Sequence, residues 1–552
     1  MAIGINRRRL LQAMGLSALA TRGYAKQGSA AAYFTHNVAS GDPLSDRVML
    51  WTRVIPENEN TALNVRWQVA QDRAFRQIVA AGEATSRAEQ DYIVKVDATG
   101  LAPGTPYFYR FDTLGVTSET GQTKTLPAGP VASFRLGVAS CSNYPQGFFN
   151  AYRHMSETDL DVVLHLGDYI YEYPEAGYAN DYARNVLKRN VVPEHETLAL
   201  EDYRMRYGLY RSDPDLQAVH QRHPFICVWD DHELANNTWR DGAENHNEGE
   251  GDFYQRMRAA RQAYDEWMPI RTHSSGNQGP IYRSFAIGDL ADLLMLDTRL
   301  EGRDRGLEYA NDMEYRPQTN ADEPRKPDVE AFRAKLHDPS RTLLGDRQER
   351  WLADEIERST GRGATWQVLG QQVLIGNVGI PKIQESALAK SDMSEQRKKY
   401  TAFLQALGAQ GLPLNLDAWD GYPANRDRMA QLLADANANT VALAGDTHNA
   451  WAFNLADSKQ RAFGVEVGTP GITSPGMENY LPVPADELAQ AFKDASPELV
   501  DIDTSRRGWS EVTLTPQAMR NQWHFVSTVL DRRFTVQSSP ELVCLAGARR
   551  FS

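Results

Sequence analysis

The chain has 552 residues, 72 acidic against 59 basic side chains, a formal net charge of −13, and 41% apolar with 24% charged residues. That length exceeds what one hydrophobic core holds, and the composition is globular rather than disordered, so two or more domains are expected. The acidic balance argues against nucleic acid as a main partner, which needs a basic face, and a polyanionic ligand would have to meet local positive charge from metals or arginines.

Residues 1–25 read as a targeting segment. Arg7-Arg8-Arg9-Leu10-Leu11-Gln12 fits the twin-arginine pattern, and the apolar stretch from Leu10 to Ala20 is about half the length that spans a bilayer. The competing reading is a basic, disordered N-terminus. A twin-arginine signal makes the export machinery a partner and the periplasm or the exterior the destination, and it suits an enzyme that loads a metal before leaving the cytoplasm. No other stretch reads as transmembrane, so no stable membrane insertion is expected. Three cysteines leave at least one unpaired. Cys227 and Cys544 lie in apolar runs and read as core, whereas Cys141 ends a strand.

Residues 32–126 read as an antiparallel β-sandwich: Val48 to Val54, Asn64 to Ala70, Tyr92 to Val96 and Pro106 to Phe111 are short β-branched or aromatic runs between turn residues. Past the linker Pro127-Ala128-Gly129-Pro130, residues 131–552 alternate strands with helices, the pattern of an α/β domain. Helices are expected over 146–155, 252–268, 345–358 and 426–436, and strands over 160–166, 281–287, 291–297, 364–375 and 440–445. Residues 173–223 are polar, Tyr/Arg-rich and without a core strand, and read as a surface excursion.

Three apolar runs in this region end alike. Val162 to Leu166 runs into Gly167-Asp168 with Tyr171 three residues on, Phe225 to Trp229 into Asp230-Asp231-His232-Glu233, and Thr440 to Gly445 into Asp446-Thr447-His448. Open α/β sheets bind ligands at strand C-termini, and the joint pattern points to one metal site. A two-metal site, with cations about 3.5–4 Å apart, would activate water and absorb the charge of a phosphate ester. Asp168 is the bridging candidate; Asp231 and Asp446 are hard oxygen ligands, and His448 serves the neighbouring metal. Cys141 and Tyr171 complete the first metal, and a thiolate with a phenolate points to ferric iron. His232, backed by Glu233, reads as a proton donor or substrate contact, and Arg299 as a holder of a phosphoryl oxygen. Asn236 and Asn237 offer carbonyl ligands to a calcium-like ion. His165, inside its strand, reads as a core or supporting histidine.

Together with Val38-Ala39-Ser40-Gly41-Asp42-Pro43, Val138-Ala139-Ser140-Cys141-Ser142 and Leu296-Asp297-Thr298-Arg299, these motifs resemble the alkaline phosphatase D (PhoD-like) family within the metallophosphoesterases. The resemblance implies a β-sandwich in front of two packed mixed sheets flanked by helices. It further implies iron(III) held by Cys141, Asp168, Tyr171 and His448, with calcium near Asp168, Asp231 and Asp446. It implies hydrolysis of phosphomonoesters, with phosphodiesters as the second candidate class, by metal-activated hydroxide, and a C-terminal segment near the active site. Around Trp366 to Leu374, where the related purple acid phosphatases carry a further histidine, this chain has only Gln371 and Gln372. Alternatives are a phospholipase- or phytase-like specialist, or a non-catalytic surface-binding sandwich protein. Sequence sets no oligomeric state.

Overall fold

The structure, a computed structural model, describes residues 33–56, 62–271, 279–317, 325–384, 393–481 and 483–552. The expected twin-arginine segment lies outside the described residues. The N-terminal part supplies β1 (Val38–Gly41), β2 (Arg47–Arg53), β3 (Leu63–Ala70), β4 (Ile78–Ser86), β5 (Ile93–Thr99), β6 (Pro106–Thr113), β7 (Val116–Thr117) and β8 (Gly121–Lys124). Then come β9 (Phe134–Ala139), β10 (Val162–His165) and β11 (Pro224–Cys227), followed by β12 (Arg283–Ile287), β13 (Ala291–Met295), β14 (Trp366–Gly370) and β15 (Thr440–Ala444). The remainder supplies β16 (Ala450–Ala456), β17 (Ala462–Gly468), β18 (Leu499–Asp503), β19 (Arg507–Leu514), β20 (Ala518–Val526), β21 (Val536–Ser538) and β22 (Leu542–Leu545).

These strands form three sheets. The first runs β21-β20-β19-β9-β10-β11-β1-β2-β5, with β22 paired to β20; the second runs β12-β13-β14-β15-β17-β16-β18; the third is β4-β3-β6-β7 with β8 on β6. The first two pack face to face. Alternation within the second sheet shows it: Leu293, Met295, Val368, Val441 and Leu443 join the core shared with β9 and β10, while Leu294, Leu369, Ala442 and Ala444 face a second core with Leu352, Ile356, Met429 and Leu433 of the flanking helices. Both faces are thus covered, which is why the parallel strands read as continuous apolar runs.

The N-terminal sandwich is not a separate bead. Its third-sheet residues Val65, Val69, Tyr109 and Phe111 pack on Val38, Val48, Leu50 and Val94, and β1 pairs in parallel with β11 at Ser40↔Pro224 and Gly41↔Phe225. The first sheet therefore crosses the boundary expected at 126–131. The Val38-to-Pro43 motif explains the splice: a Cβ at Gly41 would sit 2.3 Å from the Pro269 carbonyl oxygen, and buried Asp42 accepts Arg283 Nη2 at 2.7 Å and the Arg271 amide at 2.7 Å.

The expected surface excursion at 173–223 is corrected by two helices, Leu200–Arg211 and Pro214–Arg222. Tyr203, Tyr207, Tyr210, Arg206 and Arg211 on the first of them are buried. Their rings and stems carry the burial, and the Tyr203 and Tyr210 hydroxyls and the Arg206 guanidinium find partners inside, so a Tyr/Arg-rich stretch reads polar and packs as core.

Candidate metal centre

Two sets of adjacent parallel strands aim their C-termini at one place. β9, β10 and β11 are parallel neighbours, as are β13, β14, β15 and β17. The residues following β9, β10, β11 and β15 supply Cys141, Asp168, Asp230 to Glu233, and Asp446 to His448. Cys141, Asp168, Asp446 and His448 all adopt left-handed backbone, with φ of 61°, 55°, 62° and 63°. Aspartate and histidine enter that region more readily than most side chains, while cysteine enters it at a cost, and such strain collects at functional sites.

The loops are stitched to one another by backbone hydrogen bonds. The Cys141 amide donates to Gly167 O at 3.2 Å and the Ser142 amide to Asp168 O at 2.8 Å. A further loop after β17 closes the circle: the Gly471 amide donates to His448 O at 3.0 Å, the Ile472 amide to Ser140 O at 3.0 Å, and Ser474 Oγ to Cys141 O at 3.0 Å. Gly167, at φ 104°, lets Asp230 approach; a Cβ there would lie 2.3 Å from the Asp230 Cβ.

Among the described residues, candidate ligand atoms fall into three groups, Cys141 with Asp168 and His448, Asp168 with Asp231 and His232, and Asp230 with Asp231 and Asp446, the atoms in each lying within 4.8 Å of one another. Asp168 belongs to the first two groups, which is the position of a bridge. Its Oδ2 accepts the Tyr171 hydroxyl at 2.8 Å, while its Oδ1 is buried with no hydrogen-bond partner. The Tyr171 hydroxyl also meets Ser474 Oγ at 2.6 Å and lies 3.4 Å from His448 Nε2.

The electrostatics fit cations. Burial, then the Asp168 charge, pushes the Cys141 thiol well up, and burial with Asp168 and Cys141 does the same to the Tyr171 phenol. Burial pushes Asp446 up to about 7 against the pull of Arg299, with Asp417, Asp231 and Asp168 adding to it. Such groups ionise together only when multivalent positive charge sits among them. The orphaned Asp168 oxygen and this S/N/O donor set therefore fit a metal pair.

His232 is held differently from the sequence expectation. Its Nδ1 lies 2.7 Å from Glu172 Oε2, not on Glu233, and Glu172 also accepts the Asn236 amide and Asn245 Nδ2, each at 2.8 Å. Burial disfavours charge on the ring, but Glu172 and then Asp231 outweigh it and raise the imidazole well above its usual range. Glu233 instead accepts three backbone amides, Asp168 at 3.0 Å, Tyr169 at 2.5 Å and Asp230 at 2.7 Å.

Arg299 is also placed differently. It is fully buried; Nε meets Asp230, Nη1 meets Asp417 Oδ2 at 2.6 Å, and Nη2 meets Asp446 Oδ1 at 3.0 Å and Asp231 Oδ1 at 3.7 Å. This geometry makes it a counter-ion to four carboxylates rather than a phosphoryl clamp. Asp417 had no strand-end signal and was not anticipated; it bridges Arg299 to Arg303. Asn236 and Asn237 give their side-chain amides to Glu244, while the Asn237 backbone amide holds Asp231 Oδ2 at 2.6 Å. Gln371 accepts Trp419 Nε1 at 2.7 Å, and Gln372 accepts the Thr298 amide at 3.0 Å, so both brace loops. His165 pairs with the Tyr152 hydroxyl at 2.8 Å, its pKa lowered to about 3 by burial, in keeping with a core histidine. All three cysteines are free and buried.

The resemblance placed a C-terminal segment near the site. Here Arg549 Nε donates to Ala438 O and the Phe551 amide to Asn454 Oδ1, beside the start of β15 and so at the opposite end of the sheet from Asp446.

Two packed mixed sheets with hard and soft ligands at converging strand ends define a metal-dependent phosphoesterase. The model of the PhoD-like phosphatase family matches residues 136–523, and that of the PhoD-like phosphatase N-terminal domain matches residues 18–127. Alkaline phosphatase D of Bacillus subtilis (strain 168) is 36% identical over 507 residues, covering 89% of this chain and 76% of that protein. A solved structure of PhoD aligns with TM-score 0.77 at 32% identity over 96% of this chain and 93% of its own. The chain belongs to the PhoD-like phosphatase family.

Proposed function

We propose that this protein hydrolyses phosphomonoesters and phosphodiesters after export by the twin-arginine machinery to the periplasm or the exterior. Cys141, Asp168, Tyr171 and His448 would hold iron(III), and Asp168, Asp231 and Asp446 would hold calcium. The observation that carries this reading is Asp168, which belongs to both ligand groups and keeps one buried oxygen without a hydrogen-bond partner. The iron–calcium assignment rests on donor chemistry: thiolate and phenolate suit ferric iron, and clustered carboxylates suit calcium. The export assignment rests on Arg7-Arg8-Arg9 and the short apolar stretch after them. When bound, the metals activate water and neutralise the phosphoryl oxygens.

The chain's own residues do the rest. Asp168 belongs to both ligand groups and holds the Tyr171 hydroxyl through Oδ2. Glu172 fixes the His232 ring through Nδ1, so Nε2 is the atom that delivers a proton to the departing alkoxide. Arg299 keeps the carboxylate cluster from self-repulsion while remaining behind it. The test is purification of the mature protein, quantification of iron and calcium, and assay on p-nitrophenyl and bis-p-nitrophenyl phosphate. Absence of both bound metal and hydrolysis overturns the reading.

A further inference from the structure

The loop after β17 touches three of the four residues assigned to iron, and one of its side chains reaches two of them. Ser474 is fully buried. Its Oγ lies 2.6 Å from the Tyr171 hydroxyl oxygen and donates to Cys141 O at 3.0 Å, a carbonyl that also accepts the Thr473 and Ser474 amides at 3.3 and 3.2 Å. The next residue holds the third: Pro475 O lies 2.7 Å from His448 Nδ1. A carbonyl only accepts, so Nδ1 carries the ring proton and Nε2 turns its lone pair toward the Tyr171 oxygen at 3.4 Å and Asp168 Oδ2 at 3.9 Å.

The protons around the Tyr171 oxygen can be counted. The phenol has one and donates it to Asp168 Oδ2 at 2.8 Å, so the contact with Ser474 draws on the serine proton. A phenolate serving as a ligand has none and only accepts. Among the described residues, its remaining hydrogen-bond neighbours are then the Asp168 carboxylate and the His448 lone pair, and neither has a proton to offer. Cys141 O keeps its two amides when the hydroxyl turns from it to the phenolate. We propose that Ser474 is the hydrogen-bond donor to the Tyr171 oxygen in the loaded centre, a positioning residue that sets how much electron density this phenolate gives to iron. In a buried site such a bond to an anion is strong, and it draws density back from the oxygen. This rests on the phosphoesterase reading and its assignment of iron to Cys141, Asp168, Tyr171 and His448.

Ferric phenolates absorb visible light by passing charge from ring to metal, so the position of the band reads that density, and the reduction potential follows it. The full chain, loaded with ferric iron and calcium, is compared with Ser474→Ala and Ser474→Thr. Loss of the hydroxyl should move the band to longer wavelength and make the iron harder to reduce, while threonine, which keeps the hydroxyl, should leave both in place. A brace that only held the loop would change how much iron is bound and not the colour of what is bound. In the unmodified chain the phenolate C–O vibration, read by resonance Raman, should shift in heavy water, and this measurement decides where the alanine variant takes up no iron. An unshifted band and potential in iron-loaded Ser474→Ala, a threonine variant shifted as far as alanine, or a vibration indifferent to heavy water overturns the donor. An unmodified chain that takes up no iron, or whose loaded form lacks a tyrosine band, overturns the iron assignment and the donor with it.

Discussion

Glu233 offers the sharpest test of how the ligand loops are held, because one carboxylate joins two of them. Its oxygens accept the amides of Asp168 and Tyr169 after β10 and of Asp230 after β11. Glu233→Ala strands three buried donors, each worth roughly 1–3 kcal/mol when left unpaired. Water entering the space relieves part of that, so the expected loss is about 3 kcal/mol, read as a lowered urea midpoint with unchanged slope. The same change frees Asp168 and Asp230 to drift apart, and supports behind metal ligands typically carry about 10- to 100-fold in metal affinity. Calcium titration by calorimetry should show a loss of that size, with Glu233→Gln intermediate because it keeps one acceptor oxygen. A Glu233→Ala protein that binds calcium within about two-fold of the original and unfolds at the same urea concentration would refute the clamp.

Cys141→Ser should lose iron and most hydrolysis while Cys227→Ser, a core substitution on β11, keeps both; elemental analysis of the purified variants decides. Glu172→Gln should lower kcat on alkyl esters by about 10²-fold or more while leaving metal content unchanged, since Glu172 acts on His232; loss of metal instead would place it among the ligand supports. Replacing Arg299 with leucine leaves Asp230 and Asp446 without their cation, at a cost of about 3–5 kcal/mol in the metal-free protein. Calcium should then raise the variant's unfolding midpoint more than it raises the original's, and equal shifts would show that Arg299 is not the carboxylates' counter-ion.

The strand-end ligands were legible because a parallel strand covered on both faces must be an apolar run, and its end is marked where polar residues resume. Val162 to Leu166 before Gly167-Asp168 and Thr440 to Ala444 before Gly445-Asp446 are such edges. Partnerships across loops were not legible. Glu233 adjoins His232 in sequence, but consecutive side chains in a tight turn diverge, and the partner came from Glu172 on another loop. Asp417 lacks an apolar run before it, and Ser474 sits in Thr473-Ser474-Pro475-Gly476, which reads as an ordinary turn. The joining of β1 to β11 was hidden for a further reason: each strand pairs far along the chain, and neither sequence names its neighbour.

The backbone of the site argues that ligand placement outranked local ease. A residue leaving a strand in the ordinary extended or right-handed region would carry its side chain on along the sheet. The left-handed step at Cys141, Asp168, Asp446 and His448 turns the chain at once, so the four side chains gather over the seam between two sheets. Left-handed backbone costs roughly 1–2 kcal/mol per non-glycine residue, and Cys141 gains little of the local relief that eases aspartate and histidine there. The cost is met by the bonds that tie each loop to the next, from Gly167 to Cys141 and from His448 to Gly471. The Ile472 amide and Ser474 Oγ, donating to Ser140 O and Cys141 O, then tie the loop after β17 of one sheet to the loop after β9 of the other, so the strain is sustained by the packing of the sheets as a whole. The metal centre is accordingly a property of the interface between the two sheets, and a substitution that shifts one sheet against the other acts on the ligands without touching them.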